Sequence, residues 1–171
     1  MPDYRPDGDI FNMQANVLVN PVNCQGVMGA GLALAFARAF PSILPSYRKA
    51  CADGTLRPGG VFIARPSEAK GIVVANIATK NAWRAPARLE WVTSGVTALA
   101  SAISSLGRAI EAPTKIAMPQ LGCGLGGLKW AEVHEAILPA INEMEGFGHS
   151  IVLLGARPEF APGQTGPSQA Q

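Results

Sequence analysis

The sequence predicts an α/β fold in which helices cover both faces of a mostly parallel β-sheet, giving three layers. Short runs rich in β-branched residues alternate with longer amphipathic stretches along most of the 171-residue chain. This alternation is typical of strands that are joined by helices and lie parallel in one sheet. Several of the short runs are apolar throughout, as expected for strands that are covered on both faces.

Five runs are predicted strands because they are short, apolar and rich in valine and isoleucine. In chain order they are NVLVNPVN (16–23), GVFIARP (60–66), GIVVANIAT (71–79), KIAMPQLG (115–122) and HSIVLLGA (149–156). Ligands of such sheets bind beyond the carboxyl ends of the strands, so the loops that follow these runs form the candidate site.

Four longer stretches are predicted helices. In chain order they are GLALAFARAF (31–40), SILPSYRKACADG (42–54), PARLEWVTSGVTALASAISSLG (86–107) and KWAEVHEAILPAINEME (129–145). The third begins near Pro86 and ends at Gly107, a residue type that commonly terminates helices. Apolar residues recur along it every three to four positions and predict one buried stripe, formed by Leu89, Val92, Val96, Leu99 and Ile103.

The composition narrows the class of protein. A chain with 48% hydrophobic residues can bury the core of one globular domain. Only 15% of residues are charged and the net charge is +2, which gives little support for broad electrostatic binding to nucleic acid but leaves open recognition of one modified nucleotide. No apolar run reaches the roughly 18 residues that span a bilayer, and MPDYRPDGD at the start lacks the apolar core of a signal peptide.

The cysteines and the last residues of the chain add expectations about metal binding, cellular compartment and domain boundaries. Cys24, Cys51 and Cys123 are odd in number and have no CxxC or Cys/His spacing, which disfavours a zinc site and a disulfide framework. We therefore expect no metal, no cofactor and a reducing compartment, the cytoplasm. Residues 159–171 are rich in Pro, Gly, Gln and Ser, so we expect one domain over 1–158 and a flexible tail or linker start after it.

Two glycine-rich loops, each between a predicted strand and a predicted helix, are the strongest local signal. They lie in NCQGVMGAGLALAF (23–36) and LGCGLGGLKW (121–130). Glycine permits backbone conformations that turn several amide groups inward together, and such a nest near a helix N-terminus binds phosphate oxygens. Two facing nests would suit a diphosphate. The alternative is that both are tight strand-to-helix turns without a ligand.

Neither loop fits the common nucleotide-binding motifs. GVMGAG is not GxGxxG, no ribose-binding acid follows it at the expected spacing, and GxxxxGK[ST] is absent. The sequence therefore disfavours a dinucleotide-dependent dehydrogenase and a P-loop NTPase.

Four motifs in order resemble the macrodomain family. They are GDIF (8–11), VNPVNCQGVMGAGLALAFARAFP (19–41), NIATKNAWR (76–84) and MPQLGCGLGGLKW (118–130). The similarity extends to about residue 156 and is greatest to the branch that contains the terminal ADP-ribose protein glycohydrolase and the DarG antitoxin of the DarT/DarG pair. It implies a three-layer α/β/α macrodomain sandwich with a central mixed, mostly parallel sheet of about six strands, and ADP-ribose as the ligand.

The resemblance assigns parts of ADP-ribose to residues of this chain. Asp9 and Ile10 would bind the adenine, although an aspartate after glycine also commonly caps a helix. Asn20 and Asn23 would face the distal ribose, although asparagines at strand ends often bond only to nearby backbone. The remaining residues implied in the site are Val27, Met28, Gly29, Ala30, Gly31, Leu32, Thr79, Gly122, Cys123, Gly124, Leu125, Gly126 and Gly127.

Lys80 is the implied catalytic residue. A lysine at a strand end is by itself most simply an exposed charge, but Thr79 and Lys80 match the TK element whose lysine is catalytic in this branch. The amine could attack the anomeric carbon of the distal ribose, or its opened aldehyde form, and give a lysyl intermediate. The ammonium could instead protonate the leaving group or stabilise charge. The sequence leaves both roles open.

One departure from the branch concerns the substrate. The protein-directed glycohydrolase has an aspartate after GCGL, and this chain has Gly126 there. The DNA-directed antitoxins are more similar, so the resemblance implies ADP-ribose on a thymidine of single-stranded DNA as the substrate. Trp83 and Arg84 would contact the DNA by stacking and by a phosphate contact, or Trp83 would simply be a half-buried loop aromatic.

Other ionisable residues are weak candidates for catalysis. We expect packing or surface roles for His134 and His149 and a space-filling role for Cys123, because no base is placed beside it. Acids in helical stretches are expected on solvated faces, and these are Glu90, Glu132, Glu135 and Glu143.

The leading hypothesis is a monomeric DNA ADP-ribosyl hydrolase with no membrane association. The alternatives are a non-catalytic ADP-ribose-binding module and a hydrolase of acyl-linked ADP-ribose, on protein glutamate or as O-acetyl-ADP-ribose. A DarT-like toxin would be a partner if the chain belongs to a longer antitoxin, and a stand-alone enzyme is the other possibility.

Overall fold

The computed structural model describes residues 1–106 and 113–159. Within these ranges six strands form one sheet: β1 (Asp3–Tyr4), β2 (Val17–Val22), β3 (Val61–Ala64), β4 (Val73–Ala78), β5 (Lys115–Pro119) and β6 (Ser150–Leu154). The helices are α1 (Gly31–Ala39), α2 (Leu44–Ala52), α3 (Leu89–Leu106) and α4 (Trp130–Gly146). Gly107 and residues 160–171 of the predicted tail lie outside the described residues.

The sheet is mixed and mostly parallel, as predicted. Its strand order is β1-β6-β5-β2-β4-β3, and every neighbouring pair is parallel except β3 with β4. The central strand β2 lies between β4 and β5. Because these three strands are parallel, their carboxyl ends meet at one edge, where the two glycine-rich loops and Lys80 begin.

Two hydrophobic cores, one on each face of the sheet, confirm the three-layer arrangement. One core contains the inner faces of α3 and α4, with Val96 and Ile137 fully buried. The other contains α1 and α2, with Phe36 and Tyr47 fully buried. Side chains alternate between the two faces along β2, so Val17 and Leu18 belong to different cores.

The predicted apolar stripe of α3 is buried against the first core, but the helix starts later than predicted. It begins at Leu89 instead of near Pro86. The reason is that the preceding amides bond elsewhere: the Ala87 N–H donates to the Gly126 carbonyl over 3.0 Å and the Arg88 N–H donates to the Thr79 carbonyl over 3.1 Å. The segment before α3 therefore joins the loops that follow β4 and β5.

Three further features differ from or add to the prediction. The stretch 42–54 forms a short 3₁₀ turn, Pro41–Ile43, and then α2. Strand β1, which pairs with β6, was not predicted. No helix in the described ranges is both long and apolar enough to cross a membrane.

Candidate active site

A cavity of about 880 Å³ opens at the carboxyl edge of the central strands. The loops after β2, β4 and β5 surround it, together with the first turn of α1 and part of the N-terminal segment. Its volume is within the range found for sites that bind small molecules and cofactors. The loops that the sequence singled out therefore come together around one site.

The first wall is the loop after β2 and the start of α1. Gly31 has a φ of +56°, a conformation that glycine adopts without strain. The Leu34 N–H donates to the Ala30 carbonyl over 3.2 Å, so the amides of the preceding helical residues remain outside the helical bonding pattern. Gly29 to Ala33 line the cavity. This wall offers the backbone amides and the helix dipole that favour a phosphate.

Asn23 holds the first loop in shape. Its Nδ2 donates to the Val27 carbonyl over 2.7 Å, and its Oδ1 accepts from the Gln25 N–H at 2.9 Å. The buried Tyr47 hydroxyl donates to the Asn23 carbonyl over 2.8 Å. Asn23 also lines the cavity. Its amide thus bonds to the local backbone, which is the structural role considered for it, and its contact with the distal ribose stays a prediction.

The second wall is the loop after β5. It is organised by three backbone bonds, from Cys123 N–H to Gln120 O, Gly127 N–H to Gly124 O and Leu128 N–H to Gly122 O. The amides of residues 124–126 take no part in these bonds, and all three residues line the cavity. This wall therefore presents backbone donors opposite those of the first wall.

The two walls approach each other at Leu125. This side chain is 73% exposed, and its Cδ1 lies 3.6 Å from the position of a Cβ atom built on Gly31. Val27 and Trp83, which are 38% and 47% exposed, also line the cavity. The mouth of the cavity is therefore rimmed by apolar side chains, which would contact a flat or apolar group of a bound molecule.

Gly126 occupies the position where the protein-directed branch has an aspartate, and no side chain fits there. A Cβ atom at Gly126 would lie 2.5 Å from the Gly122 carbonyl oxygen and 2.7 Å from the Ala87 Cβ. Both distances are far below van der Waals contact, and one of the two neighbours is rigid backbone. The backbone of this loop therefore excludes a carboxylate at position 126.

Lys80 lies two residues after the end of β4 and lines the cavity. Its Nζ donates to the Trp83 carbonyl over 3.2 Å. No other side chain among the described lining residues is ionisable, and the polar side chains beside it belong to Asn23, Thr79 and Gln120. Any proton transfer by the protein inside this cavity would therefore involve Lys80 or water.

Trp83 and Arg84 stand on the loop that follows Lys80. The Arg84 guanidinium lies 4.3 Å from the centroid of the Trp83 ring, a cation–π distance. Arg84 is exposed and Trp83 is about half-exposed, so the contact of this pair with DNA stays a prediction beside the alternative of a half-buried loop aromatic. The pair presents an aromatic surface and a positive charge beside the cavity.

Most of the predicted site residues line the cavity, but seven do not. Those that line it are Asn23, Val27, Gly29, Ala30, Gly31, Leu32, Thr79, Lys80, Trp83, Gly122, Gly124, Leu125 and Gly126. Those that do not are Asp9, Ile10, Asn20, Met28, Arg84, Cys123 and Gly127. The assignment of the individual residues to ADP-ribose stays a prediction.

Asp9 and Asn20 have clear structural partners. The Asp9 carboxylate caps the 3₁₀ turn Ile10–Asn12, with Oδ1 accepting from the Phe11 N–H and Oδ2 from Asn12 Nδ2, each at 3.0 Å. Asn20 is fully buried in β2, and its Nδ2 donates to Asn76 Oδ1 on the neighbouring strand over 2.9 Å. The capping role considered for Asp9 is therefore present. Asn20 instead bonds to a side chain of the neighbouring strand and not to nearby backbone, and its buried Oδ1 has no hydrogen-bond partner among the described residues.

Several lining residues were not predicted from the sequence. Gln120 follows β5 directly, and the rule that sites form at strand ends would have pointed to it. Four others are at the carboxyl ends of strands, where the same rule applies, namely Pro21, Val22, Pro119 and Leu154. The remaining two are Pro6 and Ala33, which the tertiary fold brings to the cavity.

The histidines and cysteines are not placed for catalysis. His134 is buried in α4 and lies 2.8 Å from the Tyr4 hydroxyl. Burial raises the pKa of Cys123 to about 11, so its thiol is protonated at neutral pH. Across the described ranges, no group of three His, Cys, Asp or Glu side chains could hold a metal ion.

A second, open depression of about 740 Å³ runs along α3. Its hydroxyl groups bond to the helix itself, as in Thr93 Oγ1 to the Leu89 carbonyl at 2.9 Å and Thr97 Oγ1 to the Thr93 carbonyl at 3.0 Å. Because these donors are already used, the depression offers less to a polar ligand than the cavity does.

The fold and the site define an α/β/α domain with a cavity between two backbone-lined, glycine-rich walls. The Macro domain family matches residues 19–137 of the chain. The chain belongs to the macrodomain family, and the resemblance inferred from its motifs is confirmed.

Individual relatives show which macrodomain proteins this chain is similar to. The DNA ADP-ribosyl glycohydrolase of Thermus aquaticus is 38% identical over 168 residues, covering 91% of this chain and 45% of that protein. The chain thus spans less than half the length of this curated relative. The macrodomain of Mycobacterium tuberculosis DarG matches with a TM-score of 0.79 at 34% identity, covering 90% of this chain and 96% of that one. Thermosipho africanus DarTG in complex with ADP-ribose shares the fold, with a TM-score of 0.77 at 23% identity over 93% of this chain and 44% of that one.

Proposed function

We propose that this chain is a hydrolase that removes ADP-ribose from a thymidine base in single-stranded DNA, with Lys80 as its catalytic residue and without a metal. The observation that carries the proposal is that Lys80 is the one ionisable side chain among the described residues of a cavity walled by backbone amides. The relative from Thermus aquaticus, which is named a DNA ADP-ribosyl glycohydrolase, supports the same activity.

The ligand would lie with its diphosphate between the two glycine-rich walls. Amides at the start of α1 and in the loop 124–126 would donate to the phosphate oxygens. The end of the cavity near Pro6 and Leu154 would take the adenine, and Asn23 and Lys80 would face the distal ribose. In this orientation the anomeric carbon would lie beside Lys80, the one side chain among the described cavity residues that can do covalent or acid–base chemistry.

A covalent route fits a cavity with a single ionisable group. The neutral Lys80 amine would attack the anomeric carbon, and the bond from that carbon to the thymine nitrogen would break as the new bond forms. The proton lost by the amine would end on the thymine nitrogen. Water would then attack the same carbon, release ADP-ribose and restore the amine. The net reaction consumes one water and needs no second carboxylate.

The glycine at position 126 favours thymidine-linked ADP-ribose over acyl-linked ADP-ribose as the substrate. The protein-directed branch uses a carboxylate at that position, and the contacts with Gly122 and Ala87 exclude one here. Trp83 and Arg84 would contact the DNA strand beside the modified base, because stacking on an aromatic ring and a cation near the phosphate are the usual means of holding single strands.

Further parts of the proposal concern the setting of the domain. We propose a monomeric domain over residues 1–158 that acts in the cytoplasm, where its cysteines stay reduced; all three are free in the described structure. A DarT-like toxin would be a partner if this domain forms part of a longer antitoxin.

The experiment is to incubate the chain with a single-stranded oligonucleotide that carries thymidine-linked ADP-ribose and to follow the unmodified DNA released. We expect the wild type to clear the mark and Lys80→Ala to be slower by about 100-fold or more. Lys49→Ala is the matched control, since Lys49 is exposed on α2 and pairs with Asp53.

Calorimetry with ADP-ribose separates binding from turnover. If Lys80→Ala binds ADP-ribose and does not turn over the DNA substrate, the catalytic assignment stands. If the wild type binds ADP-ribose and leaves the DNA mark in place, the DNA-directed activity is excluded and the chain is a binding module or acts on acyl-linked ADP-ribose. If the covalent route operates, the lysyl glycosylamine can open its ribose ring to an imine between Lys80 Nζ and the anomeric carbon, and borohydride added during turnover would reduce that imine and trap an adduct at residue 80.

A further inference from the structure

The loop that carries Trp83 is tied to the first glycine-rich loop outside the cavity. The Cys24 N–H donates to the Asn81 carbonyl over 3.0 Å. The Trp83 N–H donates to the side-chain Oε1 of Gln25 over 3.1 Å. The second bond joins residues that are 58 positions apart in the chain. It is therefore a tertiary contact, and the Gln25 side chain makes it specifically.

The same Trp83 backbone also holds the lysine. Its carbonyl accepts from Lys80 Nζ at 3.2 Å, while its N–H is held by Gln25. Lysine has four rotatable side-chain bonds, so an amine at the edge of a cavity has many positions open to it unless a fixed acceptor selects one. The Trp83 carbonyl is that acceptor, and its position depends on the loop that Gln25 holds.

Gln25 is itself supported from the core. Its N–H donates to Asn23 Oδ1 over 2.9 Å, and the Tyr47 hydroxyl donates to the Asn23 carbonyl over 2.8 Å. Tyr47 is fully buried, and its burial raises the pKa of its hydroxyl, which keeps the hydroxyl protonated and able to donate. An unbroken series of hydrogen bonds thus runs from Tyr47 in the core through Asn23, Gln25 and Trp83 to Lys80.

We propose that Gln25 is a positioning residue that fixes the Lys80 amine for reaction by holding the Trp83 backbone. The proposal rests on the proposed function, in which Lys80 is catalytic. Gln25 does not line the cavity, so it acts through Trp83 and not by contact with the ligand. Its removal should therefore reduce the rate of the chemical step while the affinity for ADP-ribose is kept.

Two substitutions at this position test the role. Gln25→Leu keeps the size of the side chain and removes the acceptor, and we expect kcat to fall by about 10- to 100-fold, with KM and the Kd for ADP-ribose within about twofold of the wild type. Gln25→Glu keeps an acceptor for the Trp83 N–H, so it should restore most of the lost kcat.

Arg48→Leu is the matched control. Arg48 Nε donates to the Gly26 carbonyl over 3.4 Å, so its hydrogen bond is made to the same loop, whereas the Gln25 side chain bonds to the Trp83 segment. If Arg48→Leu lowers kcat as much as Gln25→Leu does, general stiffness of the loop explains the result and the proposal is overturned. A Gln25→Leu enzyme with wild-type kcat, or with Kd weakened in proportion to kcat, overturns it as well.

Lys80→Ala, measured with the same substrate, separates the two proposals. If Lys80→Ala is inactive and Gln25→Leu is unaffected, only the positioning role fails. If Lys80→Ala keeps the wild-type rate, the proposed catalytic function itself fails. Thermal melts of each variant show whether a lost rate reflects lost folding, and if Gln25→Leu does not fold, Gln25→Met, which also lacks an acceptor for the Trp83 N–H, takes its place in the same comparison of kcat with Kd.

Discussion

The Cβ atom of Ala87 lies 2.7 Å from the position that a Cβ atom at Gly126 would take, and the Ala87 N–H donates to the Gly126 carbonyl over 3.0 Å. This close approach fixes the second wall of the cavity to the segment before α3. It also means that the loop can keep its shape only while residue 126 is a glycine.

Gly126→Ala should therefore destabilise the protein by about 1–3 kcal/mol, the usual range for overpacking a well-packed site. Gly124→Ala is the control in the same loop, because a Cβ atom there would have no neighbour within 4 Å. Thermal unfolding of the two variants and the wild type is the measurement. Equal melting temperatures for the two variants would show that the loop adjusts and that position 126 could hold a carboxylate.

Asn20→Ala should affect stability more than ligand binding. Asn20 is fully buried and donates to Asn76 Oδ1 over 2.9 Å, so its removal leaves a buried acceptor unpaired at a cost of about 1–3 kcal/mol. Asn12→Ala removes an exposed asparagine that bonds to Asp9 and should change the melting temperature little. ADP-ribose titration checks the second part: a large loss of affinity in folded Asn20→Ala would place Asn20 at the ligand after all.

Cys123→Ser should leave turnover of the DNA substrate within about threefold of the wild type. Burial raises the pKa of the Cys123 thiol to about 11, so the nucleophilic thiolate is scarce at neutral pH. Its Sγ lies 3.5 Å from the Leu121 carbonyl, where a serine hydroxyl can also donate. Slow labelling of Cys123 by iodoacetamide at pH 7 is the supporting measurement. Loss of activity in a folded Cys123→Ser would contradict the assignment of catalysis to Lys80 alone.

His134 should make the protein less stable in mild acid. Burial lowers the pKa of His134 below its ordinary value of 6.5, and the positive charge of Arg157 lowers it further. As the pH falls below 6.5 the unfolded chain takes up a proton on this residue that the folded chain resists, so the free energy of unfolding decreases down to the lower folded pKa.

Thermal melts over this range test the effect. We expect the melting temperature to fall as the pH is lowered from about 7 to about 5, and to fall less in His134→Gln, which has no proton to take up. The glutamine could still bond to the Tyr4 hydroxyl, which lies 2.8 Å from His134 Nε2 in the wild type. Parallel pH dependence in the two proteins would show that other groups dominate acid unfolding.

The strands and loops that surround the site were predictable because their signals are local. The valine-rich run of β2 and the glycines after it lie within a few residues of each other, and the same holds for β5 and its loop. Strand β1 could not be predicted, since it has two residues and exists only through its pairing with β6. The start of α3 was misplaced because the bonds of Ala87 and Arg88 are made to distant loops.

The residues of the candidate site also differ in whether a local sequence signal or a distant contact places them there. Lys80 was found through the resemblance of the TK element, whereas Gln25 carries no signal in the sequence because its contact with Trp83 spans 58 positions. Asn20 and Asn23 look alike in the sequence, three residues apart at the end of one strand. The alternation of side chains along β2 and the turn that follows it send the first into the core and the second to the cavity.

The backbone-lined cavity also determines how it can be studied by mutagenesis. An alanine scan removes side chains, and much of both walls consists of residues that have none to remove: Gly29, Ala30, Gly31, Gly122, Gly124 and Gly126. Such a scan would report tolerance across the surface that, under the proposed function, holds the diphosphate. Substitutions that add bulk, such as valine at Gly124, are the informative ones, because a Cβ atom there has no neighbour within 4 Å and the added side chain would occupy the proposed ligand space without displacing surrounding residues.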